Sequence, residues 1–130
     1  MEIHHIGYLV KDISAAIEKF LQLGYHIHED TITDNTRGID VCFLANGGYI
    51  VELVSPTGAQ SPMAPMLKKI GNSPYHICYK TTDIEADAAL LRKQGFVPTQ
   101  PIAPGGQTDR PVRVAFFFNR HIGLIELFEG

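Results

Sequence analysis

The chain has 130 residues, a formal net charge of −3 and 45% hydrophobic residues. This length is enough for one domain with a core that folds without disulfides, and the composition is typical of a globular protein rather than a disordered one. The weak negative charge and scattered basic residues exclude a nucleic-acid partner. No apolar run approaches the roughly 18 residues of a membrane span, so we expect no membrane partner either.

The start of the chain and its cysteines favour a cytoplasmic location. The sequence begins Met-Glu-Ile-His-His, without the basic and then apolar residues of a secretion signal. Cys42 and Cys78 lie within predicted strands rather than in a spaced framework, which is typical of a reducing compartment. We therefore expect a cytoplasmic protein.

An internal repeat organises the sequence. Shifting the sequence by 71, 73 or 74 residues aligns like residues from the two halves. The offset increases along the chain, as short insertions in the loops between strands would produce. The aligned pairs include His5 with His76, Gly24 with Gly95, Phe43 with Phe116, and Glu52 with Glu126. We therefore predict one domain spanning 1–130, with repeat one at about 1–56, a linker at about 57–73 and repeat two at about 74–130.

Each repeat predicts a strand, a helix and three further strands. Asp12 and Asp83 are good helix N-caps because their carboxylates accept from free amides of the first turn. Gly24 and Gly95 are suited to end the helices in a left-handed conformation. The strands predicted from apolar alternation are about Ile3–Val10, Tyr25–Thr33, Gly38–Ala45, Tyr49–Val54, Tyr75–Lys80, Phe96–Pro101, Pro111–Phe118 and Gly123–Phe128. In the linker, Met63 to Ile70 predicts a short helix that covers the core, with a substrate lid as the alternative.

A histidine and a glutamate recur at matching places in the two repeats. Glu52 and Glu126 each interrupt an apolar strand, where an ionised carboxylate needs a cation, a metal or a strong donor beside it. His5 and His76 each lie near the start of an apolar strand. We predict that these four side chains converge on one divalent metal. Two imidazoles and two carboxylates form a neutral site with such an ion and suit Ni, Co, Zn, Mn or Fe(II).

Each of these residues taken alone has a plainer explanation. A single histidine in an apolar strand is more often a hydrogen-bonded core residue, and a single glutamate can face solvent on an open sheet. The repetition favours the metal hypothesis, because generic packing gives no reason for it. His26 and His28 stand two apart on one predicted strand but have no counterpart in the second repeat, so we interpret them as surface residues.

Four segments together resemble the vicinal oxygen chelate superfamily, the glyoxalase/bleomycin-resistance fold, over essentially the whole chain. They are His-His-Ile-Gly, Val-Glu-Leu-Val-Ser-Pro, Tyr-His-Ile-Cys-Tyr and Leu-Ile-Glu-Leu, in that order. The resemblance implies an α+β fold in which two tandem βαβββ modules form a cupped, eight-stranded mixed sheet around a metal. It also implies His5, Glu52, His76 and Glu126 as ligands, and a homodimer. The sequence looks most similar to methylmalonyl-CoA epimerases and small bacterial glyoxalase I-like proteins.

The reaction that this resemblance implies is proton transfer at a carbon next to a carbonyl, in a thioester or hemithioacetal substrate. Glu126 is expected to be the main base, and Glu52 a ligand and second base. One alternative is a non-heme Fe(II) dioxygenase, but such sites usually keep only one carboxylate. Another is a binding or resistance protein without catalysis, against which four intact ligands argue. The extra acid that some epimerases carry on an early strand has no clear match, because Asp40 is near but out of phase.

Overall fold

The computed structural model describes residues 1–105 and 111–130. Within them it contains three helices and nine strands, which confirms the predicted α+β class. The elements are β1 (Glu2–Leu9), α1 (Ile13–Gln22), β2 (His26–Asp34), β3 (Ile39–Asn46), β4 (Tyr49–Pro56), α2 (Ala64–Ile70), β5 (Ser73–Lys80), α3 (Ile84–Lys93), β6 (Val97–Pro98), β7 (Ala103–Pro104), β8 (Arg113–Asn119) and β9 (Gly123–Glu129). None of the helices in the described part of the chain has the length and apolar character needed to cross a membrane.

The chain divides into two compact units. The first unit is His5–Tyr75, and the second is His76–Gly130 together with Met1–His4. Strands of the first unit are ordered β2-β3-β4-β1, and those of the second β5-β9-β8-β6, with β7 also paired to β8. In each unit the first strand runs parallel to the last, and the other pairs are antiparallel. The two units therefore repeat one mixed topology, as the internal repeat predicts.

The first helix of each unit begins and ends in the same way. The Asp12 carboxylate accepts from the amide of Ala15 at 3.1 Å, and Asp83 accepts from Ala86 at 3.0 Å. The predicted N-caps are therefore confirmed. At the other end, Gly24 and Gly95 have φ values of 97° and 92°. These left-handed residues reverse the chain so that it leaves each helix toward the next strand.

Two apolar layers flank the sheet of the first unit. One packs α1 against the sheet through Cys42, Leu44 and Leu53. The other lies on the opposite face, where Leu9, Val41 and Val54 pack against Met66 and Leu67 of α2 and against Met63, which directly precedes the helix. The interpretation of α2 as a cover for the core is thus confirmed. Because alternate residues of a strand face opposite sides of the sheet, these two layers show on which face each residue of β1, β3 and β4 lies.

In the described part of the second unit, one hydrophobic cluster packs α3 onto β8 and β9 through Leu91, Phe117, Ile125 and Leu127.

The predicted strand Phe96–Pro101 is wrong in extent. Only Val97–Pro98 forms a strand there, and a second short strand follows at Ala103–Pro104. Proline has no amide hydrogen to donate, which explains why the edge is broken at its prolines and why the strands number nine rather than eight.

An ion-pair network fastens α3 to the end of the second unit. The Arg113 guanidinium contacts both Glu85 on α3 and Glu129 on β9. The second carboxylate oxygen of Glu129 accepts from the amide of Ile84, at 2.9 Å, in the first turn of α3. That amide, followed by Arg113, lowers the pKa of Glu129, and Arg113 lowers the pKa of Glu85.

We expect this network to make the protein sensitive to acid. A lowered carboxyl pKa contributes stability that is present above the ordinary value of 4.5 and is lost as pH falls through the lowered value. Glu129→Gln removes the charge and keeps an oxygen for Ile84. Its unfolding temperature should lie below that of wild type at pH 7, and the gap should narrow below pH 4.5. Glu18→Gln, an exposed change on α1, is the control and should show neither effect. A gap that is the same at pH 7 and pH 3.5 would contradict the assignment.

Candidate metal centre

In the first unit, parallel pairing brings a histidine and a glutamate together. β1 lies beside β4 in a register that sets Gly7 opposite Glu52. His5 is two residues before Gly7 and shares its face. Its Nε2 lies 3.4 Å from Oε1 of Glu52. The imidazole is 3% exposed and the carboxylate side chain 17% exposed, so the pair is sheltered and keeps one side open to solvent.

The second unit repeats this arrangement. β5 lies parallel to β9 in a register that sets Cys78 opposite Glu126. His76 Nε2 lies 3.1 Å from Oε1 of Glu126, with the imidazole side chain fully buried and the carboxylate side chain 9% exposed. Cys78 is itself fully buried beside the pair. Each unit therefore brings together the histidine and the glutamate that the sequence selects, and the two separations differ by only a few tenths of an ångström.

A phenylalanine ring stands edge-on to each histidine. The His5 and Phe43 ring centroids are 5.4 Å apart with planes at 84°, and those of His76 and Phe116 are 5.5 Å apart with planes at 83°. Phe43 is paired across the strands with Glu52, and Phe116 with Glu126. The motif is therefore a histidine, a glutamate and an aromatic wall in each unit. The sequence analysis missed this role, although Phe43 and Phe116 already align in the internal repeat.

The donor atoms of each pair fit a divalent cation. Imidazole nitrogen and carboxylate oxygen bind such ions at about 2.0–2.2 Å. Two ligands at those distances lie about 3.0 Å apart at a right angle and about 3.4 Å apart at a tetrahedral angle. The observed 3.1 and 3.4 Å match this range. A direct N–H···O hydrogen bond has a similar length, so metal analysis decides between the two interpretations.

The remaining candidates lie elsewhere. His26 and His28 are exposed, as a surface role predicts. The two-residue alternation assumed for them does not hold, because the pairing of β2 with β3 shifts between Ile27 and Glu29 and leaves His28 outside the regular register. Asp40 accepts from the Thr33 hydroxyl at 2.6 Å on the face of β3 opposite Phe43, so it is out of phase with the His5–Glu52 pair.

Several basic residues could in principle bind a phosphate or carboxylate of a ligand, but those in the described part of the chain are mostly surface groups. Arg37 pairs with Asp34 at 3.3 Å, and Arg113 is held in the network described above. Lys68 and Lys69 are exposed on α2. The sequence of the loop from Pro104 to Pro111 fits either a cover over the substrate or a long turn, but Arg110 and most of this loop lie outside the described residues.

The topology and the paired histidine and glutamate side chains define a class of protein: an α+β chain built from two related units, each carrying the same motif. The model of the Glyoxalase/Bleomycin resistance protein/Dioxygenase superfamily matches residues 4–116. The chain belongs to this superfamily, as the sequence resemblance predicts.

Particular proteins are similar to the chain over most of its length. The ethylmalonyl-CoA/methylmalonyl-CoA epimerase of Cereibacter sphaeroides is 30% identical over 95 residues, which are 72% of this chain and 70% of the relative. A hypothetical protein from Bacillus halodurans C-125 matches with a TM-score of 0.87 and 25% identity, covering 99% of this chain and 94% of that one. A variant of the Streptomyces coelicolor methylmalonyl-CoA epimerase, in complex with 2-nitronate-propionyl-CoA, matches with a TM-score of 0.82 and 26% identity, covering 100% and 94%.

Proposed function

We propose that His5, Glu52, His76 and Glu126 together bind one divalent metal, and that the protein epimerises a 2-substituted malonyl-CoA thioester. The observation that carries the proposal is the duplicated histidine–glutamate pair, at 3.4 and 3.1 Å, in a member of this superfamily. The similarity to epimerases of CoA thioesters supports the substrate class. The bound ion would act as a Lewis acid toward the substrate carbonyl.

The chain's own residues perform the proton transfer in this proposal. His5 and His76 would hold the ion through their ring nitrogens, and the edge contacts with Phe43 and Phe116 orient the two imidazoles. The Glu126 carboxylate takes the proton from the carbon next to the thioester carbonyl, and the C–H electron pair moves onto the carbonyl oxygen. Return of a proton to the opposite side of that carbon gives the other epimer. The buried position of Glu126, at 7% exposure, keeps bulk water away from the base.

A direct assay tests the substrate class. The metal-loaded protein is incubated in D₂O with a single epimer of methylmalonyl-CoA, and deuterium at the α-carbon is followed by NMR or mass spectrometry. We expect deuterium incorporation together with formation of the other epimer. A metal-loaded protein that leaves both epimers unchanged, without exchange, would contradict the proposed function.

The second candidate is a lactoylglutathione lyase-like activity on a hemithioacetal. One observation favours it: β3 presents Val41 and Phe43 toward the His5–Glu52 side, while Asp40 faces α1. With no carboxylate on that face of β3, proton transfer would fall to the carboxylates of the candidate metal centre. A single base is enough to move a proton between adjacent carbons. Parallel assays with the methylglyoxal–glutathione hemithioacetal separate the two candidates.

A further inference from the structure

Strands β6, β8 and β9 of the second unit carry a row of apolar side chains that is open to solvent. Val97 is paired with Phe118, and Phe118 with Leu124. Directly paired residues lie side by side on one face of a sheet, so these three side chains form one cross-strand row, the apolar row. Val97 is 61% exposed and Phe118 48% exposed, and Leu124 is partly buried. The apolar row is therefore a surface that a hydrocarbon group can cover.

The apolar row lies on the same face of the sheet as Glu126. Phe116 is paired with Glu126, whereas Phe117 packs into the cluster with α3. Alternate residues of a strand face opposite sides, so Phe118 shares the face of Phe116 rather than that of Phe117. The same alternation sets Leu124 on the face of Glu126. Since the spacing is two residues, the apolar row lies about 7 Å along the strands from the proposed base.

The first unit has different residues at the matching positions. Its corresponding row, which is again formed by direct strand pairing, is His26, Ala45 and Ile50. Ala45 stands where the second unit has Phe118, and His26 stands where it has Val97. Both units share one topology, so the fold itself does not require large apolar side chains here. The apolar row is a property of the second unit's own sequence, which favours a role in binding a ligand.

The side chains of the apolar row suit a hydrocarbon group rather than a polar one. Valine, phenylalanine and leucine side chains carry no hydrogen-bond donor or acceptor. A carboxylate or an amide covered by such a surface loses its hydrogen bonds with water and gains none, which is unfavourable. In a 2-substituted malonyl-CoA thioester, the substituent on the α-carbon is the purely hydrocarbon group next to the reacting C–H bond. It is the part of the substrate that fits the apolar row.

We propose that the apolar row binds the α-substituent of the substrate, and that Phe118 is a specificity-determining residue that favours alkyl groups longer than methyl. The inference rests on the proposed epimerase function, in which Glu126 lies beside the α-carbon. A methyl group does not span the roughly 7 Å between Glu126 and the apolar row, whereas a chain of several carbons does. Each methylene that the row covers should raise kcat/KM about twofold to fourfold.

The test measures kcat/KM for methyl-, ethyl-, propyl- and butylmalonyl-CoA with the metal-loaded protein. For wild type, kcat/KM should rise with chain length and be about tenfold higher for butylmalonyl-CoA than for methylmalonyl-CoA. Phe118→Thr keeps a residue that suits a strand and removes the ring, and it should bring this butyl-to-methyl ratio to within about twofold of one. Because the ratio is taken within one variant, a general loss of activity or metal cancels.

Two further variants complete the experiment. Val97→Thr keeps the side-chain shape but replaces a methyl group with a hydroxyl, and it should lower the ratio by a smaller factor; it gives the answer if Phe118→Thr does not fold. Leu90→Ala is the matched control, because Leu90 has the same 48% exposure as Phe118 but lies on α3, which packs on the other face of the sheet. Leu90→Ala should keep the wild-type ratio.

The outcomes separate this inference from the proposed function. An active wild type with a ratio near one, or folded variants of the apolar row that keep the wild-type ratio, would overturn this inference alone. If Phe118→Thr keeps the ratio but changes the mass of the protein in solution, the apolar row contacts a second copy of the chain, and the inference is likewise overturned. A wild type inert toward all four thioesters would overturn the proposed function and this inference with it.

Discussion

Glu126→Gln is expected to abolish α-proton exchange while the protein stays folded. Glutamine keeps the volume and one oxygen, so the packing around β9 and part of the metal affinity should remain. The substitution removes the charge that a base needs, and such losses cost about 10²–10⁴-fold in rate. The measurement is deuterium washout from D₂O into the substrate α-carbon, which reports proton abstraction even where net conversion is slow.

Glu129→Gln is the matched control for this experiment. It removes a carboxylate from the same strand at a position held by Arg113 and Ile84 rather than by His76. At pH 7 it should exchange deuterium at the wild-type rate. If Glu126→Gln retains metal and exchanges as fast as wild type, Glu126 is a ligand only, and the base must be sought at Glu52.

The second large effect is on metal binding. His5→Ala combined with His76→Ala removes both proposed nitrogen ligands, one from each pair. Loss of a residue that merely orients a ligand already weakens metal affinity about 10–100-fold, so loss of two ligands should weaken it at least 100-fold. The measurement is competition with a chromophoric chelator, followed by the metal content of the dialysed protein.

The control for the double variant is His26→Ala combined with His28→Ala, which also removes two histidines but from the exposed strand β2. It should retain wild-type metal content and activity. If the folded control loses metal while the His5 and His76 variant retains it, then His26 and His28 bind the metal. That result would overturn the assignment.

Much of the fold follows from local sequence patterns that have one physical outcome. Asp12 and Asp83 are N-caps, and Gly24 and Gly95 reverse the chain, because few residue types satisfy those positions. The pairing of His5 with Glu52, and of His76 with Glu126, depends on parallel register, which apolar alternation does not specify. The internal repeat indicated these pairs indirectly, because two copies of one unit are expected to pair their strands in the same register.

Other features depend on contacts that no local pattern encodes. Each bulge of β2 shifts its pairing with β3 by one residue, so simple alternation from His26 does not give the position of His28. The edge contacts of Phe43 and Phe116 with the histidines arise from strand pairing between residues distant in the chain. The break between β6 and β7 follows from prolines, whose missing amide hydrogens outweighed the apolar character of Val97 and Ile102.

Metal stoichiometry tests the central claim most directly, because one shared ion is what joins the two pairs in this account. The purified protein is saturated with Ni, Co, Zn or Mn in separate samples, dialysed, and analysed for metal per chain. We predict one equivalent, lost as the pH is lowered, since bound imidazole must be neutral and bound carboxylate ionised. Two equivalents per chain would mean that each pair binds its own ion, and no retained metal would mean that the pairs are hydrogen-bonded core residues; either result would contradict the account.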